Sequence, residues 1–129
     1  MAFYYQKLFV KLILKGSKKV YFLLKIKFDT TQYFNKLKKS NSYFHTFLNK
    51  ESLAVGVLFL RPGEKDTQEP HESDEIYYII DGNGFLSINE KSYPIKKDQI
   101  YFVAKNVSHH FHGNTKDLSV LYFFGGSEY

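Results

Sequence analysis

The sequence contains no cysteine and no tryptophan, and it has only three prolines in 129 residues. Without cysteine the chain cannot form a disulfide or a thiolate site, so any bound metal must take nitrogen and oxygen ligands. No run free of charge approaches the roughly 20 residues that a membrane-spanning helix needs, so we expect no membrane partner. Aromatic residues are abundant instead, with 13 Phe and 11 Tyr. This composition is typical of strands and of apolar cavities or subunit interfaces.

Positive charge is concentrated at the N-terminus. The formal net charge is +5, yet residues 1–27 contain seven lysines and no acidic residue, which leaves the rest of the chain slightly acidic. A basic protein invites a nucleic-acid interpretation. Because the excess lies in one segment, we expect no nucleic-acid partner, and we expect a cytoplasmic protein.

The N-terminal segment has a pattern of its own. Two apolar runs flank Gly16-Ser17 and predict a β-hairpin over 7–14 and 20–28. A lysine-rich amphipathic surface segment and a non-native extension are the alternatives. The predicted domains are therefore a hairpin extension over 1–28 and a main domain over 29–129.

The main domain is predicted to be all-β after one short helix. Asp29-Thr30-Thr31 is an N-cap cluster that predicts a helix over 30–38. Short apolar runs separated by turn signals follow, a pattern typical of an antiparallel sandwich or barrel. The predicted strands cover 43–48, 53–60, 75–80, 85–89, 93–95, 99–103, 109–111 and 118–124.

One stretch combines acidic residues with an imidazole. Glu69, His71 and Glu75 fall within seven consecutive positions, directly before an apolar strand pattern. Carboxylate and imidazole groups together can hold a divalent metal. From composition alone, a solvated acidic loop is the simpler interpretation of these residues.

The spacing around this stretch resembles the first signature of the cupin family, which is Gly, five residues, His, one residue, His, three residues, Glu, six residues, Gly. Gly63, His71, Glu75 and Gly82 match it, and Glu69 stands where the first His would be. The resemblance implies a double-stranded β-helix, or jelly-roll barrel, which is often a homodimer and carries its ligands at one open end.

The second cupin signature is degenerate in this chain. Anchored on His109, it places Asp98 and Asn106 at its two glycines and Ala104 at its proline, while its final Asn falls one place before Asn114. Asn is a mild replacement for Gly, because Asn tolerates positive φ better than most residues. The resemblance covers residues 43–124.

The resemblance implies that His71, Glu75 and His109 bind the metal, with Glu69 at the fourth ligand position. Two His and one carboxylate suit non-haem Fe(II), and Mn, Ni and Zn are the other candidate ions. An uncoordinated Glu69 could act as a general base instead. Tyr77, which alternation places on the same strand face as Glu75, is the second candidate catalytic residue.

The other histidines are expected outside the site. Alternation along a strand groups His109 with Phe111 and points His110 and His112 the other way. We expect solvent-facing or interface roles for those two residues. His45 has no partner in the sequence pattern, and we expect it to be structural.

The function that follows is a metal-binding cupin that binds or transforms a small molecule at the barrel mouth. Such a metal could polarise a carbonyl or enolate oxygen or support reaction with O2, and dioxygenase-like oxidation ranks first. A non-catalytic ligand- or metal-sensing module and a metal-independent isomerase are the alternatives. Fold does not choose among them, so whether the protein is an enzyme stays open.

Overall fold

The structure is a computed structural model that describes residues 8–14, 17–23 and 25–127 of the chain, with side chains described from residue 25 onwards. Strands β1 (Leu8–Leu14) and β2 (Ser17–Leu23) pair antiparallel. The N-terminal hairpin is therefore present, but its second strand begins and ends earlier than the sequence predicts. The division into an extension and a main domain stays a prediction.

Helix α1 (Thr30–Lys38) covers the predicted residues. The Asp29 carboxylate accepts a hydrogen bond from the Thr31 amide at 3.1 Å, which satisfies a donor that the first turn leaves free. Tyr33, Phe34 and Leu37 form the buried face of the helix. Within the described residues, no helix has the length and apolar character to cross a membrane.

The eight described strands that follow the helix form two antiparallel sheets, separate from the N-terminal hairpin. Their bounds are β3 (Phe44–Asn49), β4 (Ala54–Leu60), β5 (Glu75–Asp81), β6 (Phe85–Ile88), β7 (Lys91–Pro94), β8 (Ile100–Val103), β9 (His109–His112) and β10 (Leu118–Phe124). The five-stranded sheet has the order β3-β4-β10-β5-β8, and the three-stranded sheet has the order β7-β6-β9. The all-β prediction is confirmed.

The core lies between the two sheets. Leu86 and Phe111 from the smaller sheet pack with inward residues of the larger one, including Ile79 and Val120. Strand β4 is buried on both faces, because its outward residues lie under α1 in a second apolar cluster. This arrangement explains its unbroken apolar sequence, since a strand covered on both sides cannot alternate with polar residues.

Two non-glycine residues at glycine positions of the second signature adopt a backbone conformation that glycine favours. Asp98 and Asn106 have φ of 67° and 64°, in the left-handed region that glycine favours. The Asn106 amide donates to the His71 carbonyl at 2.6 Å, so this turn joins the two signature segments. The side-chain NH2 group of the buried Asn114 donates to the Leu60 carbonyl at 3.0 Å and to the Lys116 carbonyl at 2.8 Å.

Candidate metal centre

Three separate elements bring the candidate ligands together. His71 lies in the strand-free segment 61–74, Glu75 is the first residue of β5, and His109 is the first residue of β9. One ligand atom from each of these residues lies within 4.8 Å of the others. The same strands pair with β10 and β6, so the barrel framework fixes two of the three positions.

The Glu75–His109 pair is buried and short. Oε1 of Glu75 and Nε2 of His109 are 3.0 Å apart, and both side chains are 2% exposed. Nδ1 of His109 lies 2.8 Å from the Val107 carbonyl oxygen, which can only accept, so Nδ1 carries the proton. In the neutral imidazole, the bare Nε2 therefore faces a carboxylate oxygen.

This arrangement needs a positive charge between the two atoms. Glu75 Oε1 and His109 Nε2 have no hydrogen-bond partner of good geometry among residues 25–127, although both are fully buried. Two facing acceptors repel each other unless a proton or a cation lies between them. A divalent ion bound by both atoms would satisfy them, so the donor set fits a metal.

Protonation is the alternative way to supply that charge. Burial of the His109 imidazole opposes its protonation, but the adjacent Glu75 carboxylate, the Val107 carbonyl and the charge of Asp66 outweigh burial and raise the pKa of His109. A proton on His109 Nε2 would then lie between the two atoms in the metal-free protein. A metal must displace that proton on binding.

His71 completes the group from the more open side. Its Nε2 is 4.0 Å from Glu75 Oε1, and its side chain is 24% exposed. Its ring packs against Phe124 at a centroid distance of 4.6 Å and lies 5.5 Å from the ring of His109. His71 therefore stands where the buried pair meets the cavity.

Gln68 and Tyr77 form a polar layer beside His71. The Tyr77 hydroxyl donates to Gln68 Oε1 at 2.9 Å, and His71 Nε2 lies 3.3 Å from the same oxygen. Burial, followed by the charges of Glu75 and Asp66, raises the pKa of Tyr77 well above its ordinary value. Tyr77 thus stays a neutral hydroxyl that donates into the site.

Glu69 is not brought into the ligand group. Its side chain is exposed, and it lies at the wall of the cavity next to the site. Residues 61–74 form no strand, so the two-residue alternation that would place Glu69 beside His71 does not operate there. The assignment of Glu69 as a ligand or a general base stays a prediction.

The remaining histidines lie where the sequence predicts. His109 and Phe111 are buried, while His110 is exposed and His112 is half-buried with its Nε2 2.9 Å from Ser92 Oγ. His45 lies beside the Tyr33 ring under helix α1, at a centroid distance of 5.6 Å. Neither His45, His110 nor His112 belongs to the metal-binding group found among the described residues.

A cavity of about 260 Å³ opens beside the candidate metal centre. His71, Glu75 and Tyr77 lie in its wall, together with Gln68 and Glu69. The rest of the lining is mostly apolar and aromatic, and comprises Tyr43, Phe44, Leu58, Thr67, Tyr122 and Phe124. A small molecule in this cavity would contact aromatic side chains together with His71 and Glu75, whereas His109 is not part of the lining.

Comparison with known families decides the classification. The family model for the cupin domain matches residues 56–124, which include every strand from β5 to β10 and all three candidate ligands. The chain belongs to the cupin family. The match contains the His-Glu-His cluster and both sheets except for β3 and the first residues of β4.

Individual cupins support the same fold. A Streptomyces coelicolor protein of uncharacterized function is 30% identical over 82 residues, which are 64% of this chain and 78% of that protein. An RmlC-like cupin from Methanocaldococcus jannaschii, with a double-stranded β-helix fold, aligns with a TM-score of 0.61 at 19% identity, over 70% of this chain and 87% of its own.

A Thermotoga maritima structure described as a predicted oxalate decarboxylase is also similar. It aligns with a TM-score of 0.58 at 27% identity, over 64% of this chain and 78% of its own. These relatives establish the cupin fold of the chain. The chemistry has to be argued from the site.

Sequence reasoning did not find two of the residues at the site. Neither Gln68 nor Asp66 lies at a position of the cupin signature. In the structure, Asp66 Oδ2 accepts from Gln68 Nε2 at 2.6 Å and from the Phe111 backbone amide at 2.9 Å. Pro70 was a sequence signal that this segment is not a strand, because a proline next to Glu69 disfavours a regular strand and the side-chain alternation that goes with it.

Proposed function

We propose that this cupin binds one divalent transition metal, Fe, Mn, Ni or Zn, through His71, Glu75 and His109, and that it acts on a small molecule in the adjacent cavity. The observation that carries the proposal is the buried pair of Glu75 Oε1 and His109 Nε2, 3.0 Å apart and without hydrogen-bond partners among residues 25–127. Dioxygenase-like oxidation is the reaction class that we rank first, because two His and one carboxylate are the ligand set of non-haem Fe(II) oxygenases.

The cavity lining favours a substrate with an apolar body. Phe44, Leu58 and Phe124 offer no hydrogen bond, so a dianion as small as oxalate would leave these walls without a partner. We therefore favour a small molecule with an aromatic or branched apolar part and one oxygen donor directed at His71 and Glu75. The oxalate decarboxylase description of the Thermotoga maritima relative is not carried over to this chain.

The metal, when bound, would supply Lewis acidity and, if it is iron or manganese, one-electron redox chemistry. The protein's own contribution is to hold the metal and to orient the groups around it. Tyr77 keeps its proton and donates it to the Gln68 oxygen at the cavity wall. The aromatic walls exclude water from one side of the site, which strengthens its electrostatic interactions.

A non-catalytic ligand-binding or sensing module is the second candidate. The observation that favours it is that the Tyr77 hydroxyl already donates to Gln68. A general base would then have to be Glu69, the candidate from the sequence, whose side chain is exposed. Binding without turnover needs no such base.

Metal analysis tests the proposal. Purified protein is incubated in turn with Mn, Fe, Ni and Zn, desalted, and analysed for metal by mass spectrometry. We expect one equivalent in the wild type and none in His71→Ala or His109→Ala, since each removes a ligand. His110→Ala is the matched control and should bind as the wild type does.

Metal content below one equivalent that does not rise with any of the four ions would refute the proposed site. If metal binds, oxygen consumption is then measured with diketones, thiols and phenolic compounds. Metal binding with no consumption for any compound would favour the non-catalytic module.

A further inference from the structure

We propose that the amide oxygen of Gln68 is a neutral fourth metal ligand of this site, aimed by Asp66. The inference rests on the proposed metal site and adds to it a residue outside the cupin signature. Its basis is a chain of hydrogen bonds that runs from Asp66 through Gln68 to Tyr77 and His71.

The orientation of the Gln68 amide is fixed by its partners. Its Nε2 lies 2.6 Å from Asp66 Oδ2, and a carboxylate can only accept, so the NH2 group faces Asp66. The carbonyl oxygen therefore faces the site, where it accepts from the Tyr77 hydroxyl at 2.9 Å. An amide oxygen has two lone-pair directions, and the second one faces His71 Nε2, which gives up any proton on that nitrogen when it binds a metal.

Asp66 is itself held in place. Its Oδ2 also accepts from the Phe111 backbone amide of β9 at 2.9 Å, and its Oδ1 accepts from the backbone N–H of Gln68 at 3.3 Å. Because β9 also carries His109, the strand that supplies one metal ligand fixes the group that orients Gln68. Asp66 thus connects the loop that carries Gln68 to the strand that carries His109.

The distances within two donor pairs match those of neighbouring ligands on one ion, and the 4.0 Å between His71 Nε2 and Glu75 Oε1 joins the pairs at a wider angle. Two ligands each about 2.1 Å from one ion, at angles of about 90–110°, lie about 3.0–3.4 Å from each other. Gln68 Oε1 is 3.3 Å from His71 Nε2, and Glu75 Oε1 is 3.0 Å from His109 Nε2. Gln68 thus stands beside His71 at the distance of a neighbouring ligand, whereas Glu69 is exposed.

The identity of the fourth ligand sets the charge of the site. With a neutral Gln68, the donor set carries only the one negative charge of Glu75, so a divalent ion retains a net charge of +1. With Glu69 as the fourth ligand, that charge would be cancelled. The Gln68 assignment therefore favours a substrate with an anionic oxygen, such as a carboxylate or an enolate.

Titration with Co(II) tests the assignment, because its visible absorption reports both binding and coordination number. The full-length wild type is compared with Gln68→Met, which keeps the side-chain length, and with Glu69→Met as the matched neighbour. We expect Gln68→Met to weaken Co(II) binding about 10- to 100-fold and to intensify the visible bands as a ligand is lost. Glu69→Met should leave affinity and spectrum unchanged.

The outcomes separate this inference from the metal site itself. Wild-type affinity and spectrum in Gln68→Met, with binding abolished in His71→Ala, would overturn the Gln68 assignment alone. Absence of Co(II) binding in the wild type would overturn both. Gln68→His guards against misfolding, since an imidazole can take over the position, and it should bind Co(II) at least as tightly as the wild type.

The role of Asp66 is tested by a double-mutant cycle in the same titration. Asp66→Leu should weaken Co(II) binding in the wild-type background and have much less effect in the Gln68→Met background, because a positioning residue acts only through the residue it orients. Equal effects in the two backgrounds would contradict this role.

Discussion

His109 shows how one backbone contact fixes the chemistry of a side chain. The Val107 carbonyl oxygen holds the Nδ1 proton, so Nε2 is directed at Glu75 without a proton of its own in the neutral ring. The same tautomer is found in metal-binding histidines, whose second nitrogen donates to a carbonyl or carboxylate. His71, which is less buried, is the candidate ligand that borders the cavity together with Glu75.

His45 gives a pH-dependent prediction at the same scale. Burial, followed by the charge of Lys36, lowers the pKa of His45, and its Nε2 has no hydrogen-bond partner among residues 25–127. The unfolded chain therefore binds more protons than the folded protein just below the ordinary histidine pKa of about 6.5. The His45 contribution to stability should be complete above about pH 6.5 and decline as the pH falls below it.

The measurement is urea unfolding of wild type and His45→Phe at pH 8 and at pH 5.5. The variant should lose less stability than the wild type between the two values, because it has no imidazole to protonate. An equal loss in both proteins would contradict the prediction. Circular dichroism at pH 8 checks that the variant is folded.

The sequence predicted most of the site at the residue scale but not all of it. His71, Glu75 and His109 follow from signature spacing, and their convergence agrees with that pattern. Gln68 could not be found this way, because the loop that carries it has no regular period from which a side-chain direction follows. Loop geometry depends on tertiary hydrogen bonds such as that from Phe111 to Asp66, which no local pattern encodes.

Individual elements were predicted closely wherever a period or a cap was present. Helix α1 begins directly after its Asp29 cap, and the burial of β5 alternates as the sequence indicates. The second strand of the N-terminal hairpin was misplaced, because an apolar run with lysines at irregular intervals carries no clear end signal. Strand ends depend on pairing partners as much as on composition.

The turn before β9 gives a prediction at the element scale. Asn106 has an exposed side chain and φ of 64°, so its conformation rather than its contacts determines the cost of replacing it. Asn106→Val should lower the free energy of unfolding by about 1–2 kcal/mol, since a left-handed backbone is costly for a branched residue. Asn106→Gly should lie within about 0.5 kcal/mol of the wild type.

Equilibrium unfolding in urea measures both variants. Equal stability of Asn106→Val and Asn106→Gly would show that the turn relaxes into an ordinary conformation. Because the Asn106 amide donates to the His71 carbonyl, Asn106→Val should also weaken metal binding while Asn106→Gly does not.

The outer face of the larger sheet is covered unevenly at the scale of the whole molecule. Helix α1 packs on β3 and β4, whereas β5 and β8 present Ile76, Ile100 and Phe102 at 41%, 65% and 59% exposure. Ile76 and Phe102 are cross-strand neighbours, so the three side chains form one apolar patch. Such patches mark interaction sites in soluble proteins.

The homodimer expected from the cupin resemblance stays a proposal, and this patch is where we place its interface. Sedimentation of the wild type should show a dimer, and Ile100→Lys combined with Phe102→Lys should give a folded monomer. These side chains are already exposed, so the substitutions should cost the fold little. A wild type that sediments as a monomer would contradict the proposal.

The two signature segments meet only in the finished barrel. Glu75 and His109 begin strands of different sheets, and the loop with His71 joins them through Asn106 and Asp66. We expect a site built from such distant contacts to form late, after the folding transition state. Bound metal should therefore slow unfolding in stopped-flow experiments and leave the refolding rate nearly unchanged. In that case the ion acts as a kinetic lock on the native barrel rather than as a nucleus for folding.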